Sequence, residues 1–494
     1  MSVIIKQSIK GAFWSYLGIA VGYINMGVIM PNVFDTEQIG LVQIFIAISL
    51  IFSQFGTLGF TSVINRMFPV FRDPEKQNHG FLFLALITGL AGFLLSVAAF
   101  IILKPEIIGS NIDKSPLLEK YIWLLIPLIL MRILFALLDN YNKVLYDAVT
   151  GTFWLEFMHK LINLALIILY GLNLINFSGF FIGYILSMSI PVFPVIFVLI
   201  KRHEFSLLPD PKFLTPALKK ETGMVMLFGL IIGLSGTLLA NIDKVFINSY
   251  LSLSEVGIFS VCVTFATLIK VPYNSLSKIS TGIIAHHWKN NDTAQIRTLY
   301  KKSALNQAIV GVLIFVGMMV NLHNIFQILP DEYADGKTAF IIYSSGILLV
   351  TIIGMAGIIT ETSSKYKFST YILLFSVAVQ IILCSILIPR FNIAGAAAAS
   401  IIALITNAGL QAILQRVAFR ITGLSVRLLL VLAVGMAGFA VGTVLPCLPL
   451  IPDIIVRSGT VTLVYGVLTY LLKISPDINN LVNRILTLIF NKKS

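Results

Sequence analysis

The sequence predicts an all-α polytopic membrane protein of about fourteen transmembrane helices, arranged as two six-helix lobes followed by two additional helices. Three observations carry this. The 494 residues are 57% hydrophobic and only 12% charged, with a mean hydropathy of +0.93, and a soluble chain of this length needs far more charge to cover its surface. Apolar runs of about 20 residues, the length a helix needs to cross a bilayer, recur along the whole chain. Finally, landmarks in the first part of the chain return 216–217 residues later.

Hydrophobic windows place spans near 9–31, 38–62, 80–103, 119–141, 153–172, 177–200, 222–247, 254–274, 303–328, 338–360, 369–389, 393–415, 426–446 and 454–472. The first run follows two lysines, lacks a small-residue cleavage site and leads at once into the next span, so it reads as a retained helix. The links are short and leave no extramembrane domain to carry separate chemistry. The expected organisation is an N-terminal lobe at 1–205, a linker at 206–221, a second lobe at 222–420, and two helices with a tail at 421–494. Cys262, Cys384 and Cys447 are scattered and odd in number, which fits neither a disulfide framework nor a metal site.

Lys and Arg orient the chain. With the N-terminus cytoplasmic, 25 of the 35 fall on that side and six on the other: Lys104, Lys114, Lys120, Lys337, Arg390 and Arg457. The remaining four lie within spans. This bias predicts both termini inside. It also accounts for the net charge of +13 as loop charge matching anionic lipid head groups, with no nucleic-acid partner needed.

The repeat rests on two landmarks. EQIGLVQIF at 37–45 resembles SEVGIFSVC at 254–262, aligning Gly40 with Gly257, and Asn176-Phe177-Ser178-Gly179 aligns with Asn392-Ile393-Ala394-Gly395. A period of six helices is even, so both copies keep one orientation, related by an axis along the membrane normal, as in transporters with parallel repeats.

Charges within spans are the candidate functional residues. A charge at the bilayer centre costs about 2.5–3.5 kcal/mol on insertion scales and usually faces a partner or a water-filled cavity. The cations are Arg132, Lys160, Lys244 and Lys270, joined by Arg66 at a span end. Lys270, Arg66 and Lys244 lie near enough to span ends to snorkel. Cations sharing one cavity would attract a phosphate-bearing ligand. Glu156 and Lys160, four residues apart, can pair on one face; Asp243 and Lys244, about 100° apart on a helix, cannot share a partner well. Glu156 and Asp243 are therefore the candidates for charge pairing or coupling.

Other features read as structural. Trp14, Tyr16, Tyr23 and Asn25 could offer sugar-stacking faces but fit packing or an interface belt better. Gly18/Gly22 and Gly229/Gly233 are GxxxG patterns that permit close helix approach. Pro127, Pro191, Pro194 and Pro272 could kink helices. His286-His287-Trp288 reads as an interface anchor. Asp335-Gly336-Lys337-Thr338 contains GKT, but a P-loop needs glycine where Asp331 stands. With no nucleotide motif, transport would draw on an ion gradient, the membrane potential or product consumption, and no cofactor is expected.

The pattern Ile242-Asp243-Lys244 followed by Glu255-Val256-Gly257-Ile258-Phe259 resembles the seventh-to-eighth helix region of bacterial polysaccharide (O-antigen) flippases, of the multidrug/oligosaccharidyl-lipid/polysaccharide (MOP) exporter superfamily. Lys10-Gly11-Ala12-Phe13-Trp14, Glu37-Gln38-Ile39-Gly40-Leu41 and IPRFNIAGAA at 388–397 are similar too, and the resemblance covers essentially the full length. In relatives the position of Lys244 is often Arg and that of Phe259 often Tyr. The resemblance implies alternating access around a central cavity, with an undecaprenyl-pyrophosphate-linked oligosaccharide moved outward across the bacterial inner membrane for surface polysaccharide synthesis. By position it extends a pyrophosphate-facing role to Lys244 and, less directly, to Asp243. Implied partners are membrane lipids, a coupling ion (H+ or Na+) and polysaccharide polymerase or assembly proteins.

Two transporter alternatives share the superfamily: a multidrug or cation antiporter and a lipid II flippase. The antiporter wants a carboxylate-rich cavity, whereas the spans hold four cations against Glu156, Asp243 and, at a span edge, Asp139. An enzyme such as a polymerase or ligase would carry a long outward loop with His, Arg and Asp; the longest here, roughly 104–118, has no His or Arg.

Overall fold

The computed structural model describes residues 3–108 and 116–490; Lys114 of the outward loop and Lys492 and Lys493 of the tail lie outside them. The described residues are almost entirely helical, and thirteen helices are long and apolar enough to cross a membrane. One of these, Tyr366–Phe419, holds two of the expected spans, divided at Asn392, where φ turns to 51°. Fourteen spans result, as the hydropathy predicts, in an all-helical membrane fold.

The helices used below are α1 Val3–Tyr23, α2 Thr36–Gly56, α3 Phe60–Phe71, α4 Phe81–Ile108, α5 Leu125–Val144, α6 His159–Gly171, α7 Phe177–Ser189, α8 Val192–Lys201, α9 Pro216–Tyr250, α10 Leu253–Thr267, α11 Val271–Lys289, α12 Thr293–Val320, α13 Lys337–Ile353, α14 Ala356–Glu361, α15 Tyr366–Phe419, α16 Arg427–Val444, α17 Leu450–Leu471 and α18 Pro476–Phe490. Local chemistry sets several starts. Asp35 and Gln38 form a capping box on α2, Asn176 Oδ1 accepts from Gly179 N at 2.8 Å to cap α7, and Asp292 Oδ1 accepts from Gln295 N at 3.1 Å to cap α12; each satisfies an amide that the helix leaves open.

Prolines mark the breaks. The eighth expected span is interrupted by the 3-10 turn Leu268–Lys270 just before Pro272, because proline cannot donate to the preceding turn. The sixth is divided between α7 and α8 at Ile190–Pro191.

The chain divides into two compact units, Met1–Val261 and Cys262–Ser494. In the first, α9 packs on α2 and α3: a Cβ on Gly229 would press on Ser62 Oγ and one on Gly233 on the Gln54 amide. The second glycine pair of the GxxxG reading is thus a close-packing site. The repeat glycines meet within this unit. A Cβ on Gly40 would overlap the Leu253 carbonyl and one on Gly257 the Thr36 carbonyl, and Thr36 and Ser254 share a hydroxyl hydrogen bond of 2.5 Å. Residue 36 touches 257 while 40 touches 253, the reciprocal pattern of a twofold relation.

Also in the first unit, residues 202–215 are non-helical and lie on the turn before α4. There Gln77, Asn78 and His79 hold φ of 51°, 53° and 50°, followed by Gly80 at 68°. Left-handed backbone is costly for residues with a Cβ, and side-chain bonds secure it. His79 Nδ1 lies 2.8 Å from Asp210 Oδ2, the His79 ring stacks on Phe213 at 3.8 Å, and Asn78 Nδ2 donates to Glu204 Oε2 at 2.9 Å.

In the second unit a core of Ile284, Ile296, Tyr300, Met355 and Ile359 joins α11, α12 and α14. Trp288 belongs to this packing: its Nε1 donates to the Ile359 carbonyl at 3.2 Å and its ring meets Phe419. Near the start of α17, Arg457 is buried. It pairs with Asp453 at 2.6 Å and donates to the carbonyls of Gly442 and Leu445 at 2.7 and 3.0 Å. It is therefore committed to holding the α16–α17 turn rather than exposed as a loop cation.

Candidate functional site: a cationic cavity in the first unit

The first unit encloses a cavity of about 440 Å³. Its polar wall comes from three elements: α5 brings Arg132, the π-helical turn Phe153–Met158 brings Glu156, and the start of α6 brings His159 and Lys160. A second π turn, Ile24–Ile29, continues α1 and brings Asn25. A π turn inserts one residue into the helical register and often marks functional positions.

The two π turns are fitted to one another. Gly18 lets α1 approach until a Cβ there would overlap the Glu156 carbonyl, and Gly22 leaves a slot along which the Lys160 stem lies. Asn25 Nδ2 donates to the Lys160 carbonyl at 2.9 Å. The first glycine pair thus serves both packing and the placement of Lys160. Trp14 packs against Phe153 and Phe157, with ring centroids 4.7 and 5.0 Å away, as the packing reading expects.

The charges are unequally matched. Lys160 Nζ lies 3.3 Å from Glu156 Oε2, the pairing the four-residue spacing predicts. Arg132 forms no ion pair among the described residues. Its Nη2 reaches only Met188 Sδ, at 3.4 Å, and its Nε is buried without a partner. A guanidinium is always charged and carries five donors in a rigid fork suited to carboxylate and phosphate oxygens. The wall therefore carries a guanidinium that no carboxylate among the described residues neutralises.

The other sequence candidates lie elsewhere. Lys244 reaches the cavity wall indirectly, its Nζ 3.5 Å from Oε1 of the wall residue Gln43. Asp243 is buried, and its Oδ1 accepts from Lys244 N at 2.8 Å. Arg66 is exposed on α3, away from the cavity lining. Lys270 belongs to the second unit, at the 3-10 turn before Pro272, with its Nζ 5.6 Å from the Tyr273 ring centre. Sequence reasoning missed His159, whose Nδ1 lies 2.9 Å from the Leu155 carbonyl, and Gln43; neither carries a fixed charge to stand out in an apolar run. Among the described residues no group of three or more His, Cys, Asp or Glu could hold a metal ion.

The fold is shared with solved structures of a lipid II flippase and of multidrug transporters. The solved lipid II flippase MurJ, in an inward closed conformation, superposes with a TM-score of 0.72, covering 95% of this chain and 98% of that one at 14% identity. Inward- and outward-facing structures of a multidrug resistance MATE family transporter of the MOP superfamily each superpose at 0.58, covering 82% and 84% of this chain and 94% and 95% of theirs, at 14% and 15% identity. No protein-family model matches the chain, and no curated protein matches it.

Proposed function

We propose that the chain is a flippase carrying an undecaprenyl-pyrophosphate-linked oligosaccharide from the inner to the outer leaflet of the bacterial cytoplasmic membrane, by alternating access, for surface polysaccharide synthesis. The observation that carries the reading is the cavity wall on which Arg132 stands without a carboxylate beside the Lys160–Glu156 pair. A pyrophosphate supplies oxygens that accept two parallel N–H bonds from such a guanidinium, and a charge-assisted bond of this kind offsets the cost of holding Arg132 in a span. Lys244, at Gln43, would extend the cationic path. On this reading, residues 1–205 and 222–420 are the duplicated lobes, both termini are cytoplasmic, and a coupling ion or downstream polymerase supplies direction.

A second reading, transport of lipid II, is favoured by one observation: the MurJ structure covers nearly the whole of both chains. Both substrates are pyrophosphate-linked. Deletion of the gene, followed by mass spectrometry of lipid-linked intermediates and assay of surface polysaccharide, separates them. Accumulated undecaprenyl-pyrophosphate oligosaccharide establishes the first reading. Accumulated lipid II establishes the second. Unchanged carriers with new sensitivity to cationic dyes would overturn both in favour of an antiporter.

A further inference from the structure

Two adjoining cavities in the second unit, of about 440 and 390 Å³, share Arg427 and Pro476. They lie where the starts of α16 and α18, the end of α17 and the first turns of α12 converge, on the side the charge bias makes cation-rich. Their walls hold Lys301, Lys302, Arg427 and Lys473 against one carboxylate, Asp477. That carboxylate is already engaged, by Lys302 at 3.7 Å and by Asn306 Nδ2 at 3.2 Å. Lys301 and Lys473 form no ion pair among the described residues, and Arg427 makes only a 3.5 Å bond to the Ile474 carbonyl.

The surroundings are those of a membrane interface. The walls continue directly into Val426 and Leu471, which are 78% and 65% exposed. In α18, Ile478, Leu481, Val482 and Ile485 recur at helical spacing, with Asn479, Asn480, Asn483 and Arg484 between them. A helix so patterned suits a position along a bilayer surface. An anion seated among the cations would have apolar protein surface ready for attached chains, which a soluble phosphate does not use.

We infer that these cavities form a binding site for the head group of an anionic glycerophospholipid, its acyl chains lying along Val426 and Leu471. The site is independent of the transported substrate, and it anchors α18 and the α16–α17 pair to the lipid on the cation-rich face.

Native mass spectrometry of the purified full-length protein tests this with phosphatidylglycerol, phosphatidylcholine and glycerol 3-phosphate. Each interfacial cation is worth about five-fold in affinity for an anionic lipid. The double variant Lys301→Gln/Arg427→Gln is expected to lose phosphatidylglycerol retention at least ten-fold, and the control Lys289→Gln to keep it. If the double variant fails to fold, Lys301→Gln alone is expected to lower retention about five-fold, since Lys301 makes no bond that shapes the site. Unchanged retention in these variants would overturn the assignment. So would equal retention of phosphatidylcholine, or displacement of the lipid by glycerol 3-phosphate at equal concentration, which would mark a site for soluble anions.

Discussion

Lys160 and Arg132 share one cavity wall, yet Lys160 has Glu156 at 3.3 Å and Arg132 has no carboxylate partner among the described residues. The two cations are therefore unequal. Arg132→Ala is expected to weaken binding of a pyrophosphate lipid about 10- to 100-fold, the worth of a lost charge-assisted bond. Arg132→Lys should recover only part, because an ammonium lacks the planar fork. Lipid-linked intermediates in the complemented deletion strain provide the readout, with protein level as the control.

The pair itself gives an asymmetric expectation. Lys160→Ala leaves Glu156 unopposed, repelling an incoming anion, whereas Glu156→Gln releases Lys160 toward it. Export should fall strongly in the first and little or not at all in the second. Equal loss in both would mean that the pair serves the fold rather than the ligand.

Lys244 lies beyond the cavity lining and touches it through Gln43. Lys244→Ala should abolish surface polysaccharide while leaving the protein in the membrane. Wild-type polysaccharide with this variant would show that the cation is only structural.

The clasp between His79 and Asp210 is titratable. The hydrogen bond from His79 is the largest influence holding the Asp210 carboxyl below its ordinary value. A carboxyl lowered in the folded state adds stability that is present above its unfolded value of about 3.9 and is lost as pH falls through the lower folded value. Backbone amides at 204–213 should exchange faster as pH drops through that acid window, relative to the intrinsic rate. Asp210→Asn should raise the same exchange at neutral pH.

Asp453 and Arg457 offer a contrast with surface pairs. Removing one partner of a buried pair costs about 3–5 kcal/mol, against about 0–1 for an exposed one. Asp453→Ala should therefore lower the melting temperature in detergent well beyond Asp477→Ala, which releases the exposed Lys302 and the Asn306 amide. Similar shifts would show that the α16–α17 turn is held by other contacts.

Much of this was legible in the sequence because a bilayer imposes length and apolarity directly on each span. The break near Asn392 could be read for the same reason, since Pro389 and the following polar residues interrupt an apolar run. Arg132, Glu156 and Lys160 stood out because charge in such a run is costly. Their different states did not: pairing depends on which helices face each other, and the four-residue spacing disclosed only Glu156 with Lys160. The π turns at Ile24–Ile29 and Phe153–Met158 slip the helical register by one residue, too little to alter hydrophobic periodicity. The burial of Arg457 was not legible, because its acceptors, the carbonyls of the α16–α17 turn, have no sequence signature.

The left-handed turn before α4 has a consequence for the order of assembly. His79 and Asp210 are 131 residues apart, so the groups that secure residues 77–80 are synthesised only after four further spans have followed. During synthesis the N-terminal spans fold first, and until residues 204–213 emerge this turn is held only by Asp73, whose backbone bonds Asn78, and then by Tyr141, whose hydroxyl accepts from Asn78 Nδ2 at 3.1 Å. The third span, α4, thus enters the membrane with its starting point only partly fastened. Its full set of bonds closes only once residues 204–213 have followed the sixth span, so the ordering of this part of the first unit waits on the translation of that segment.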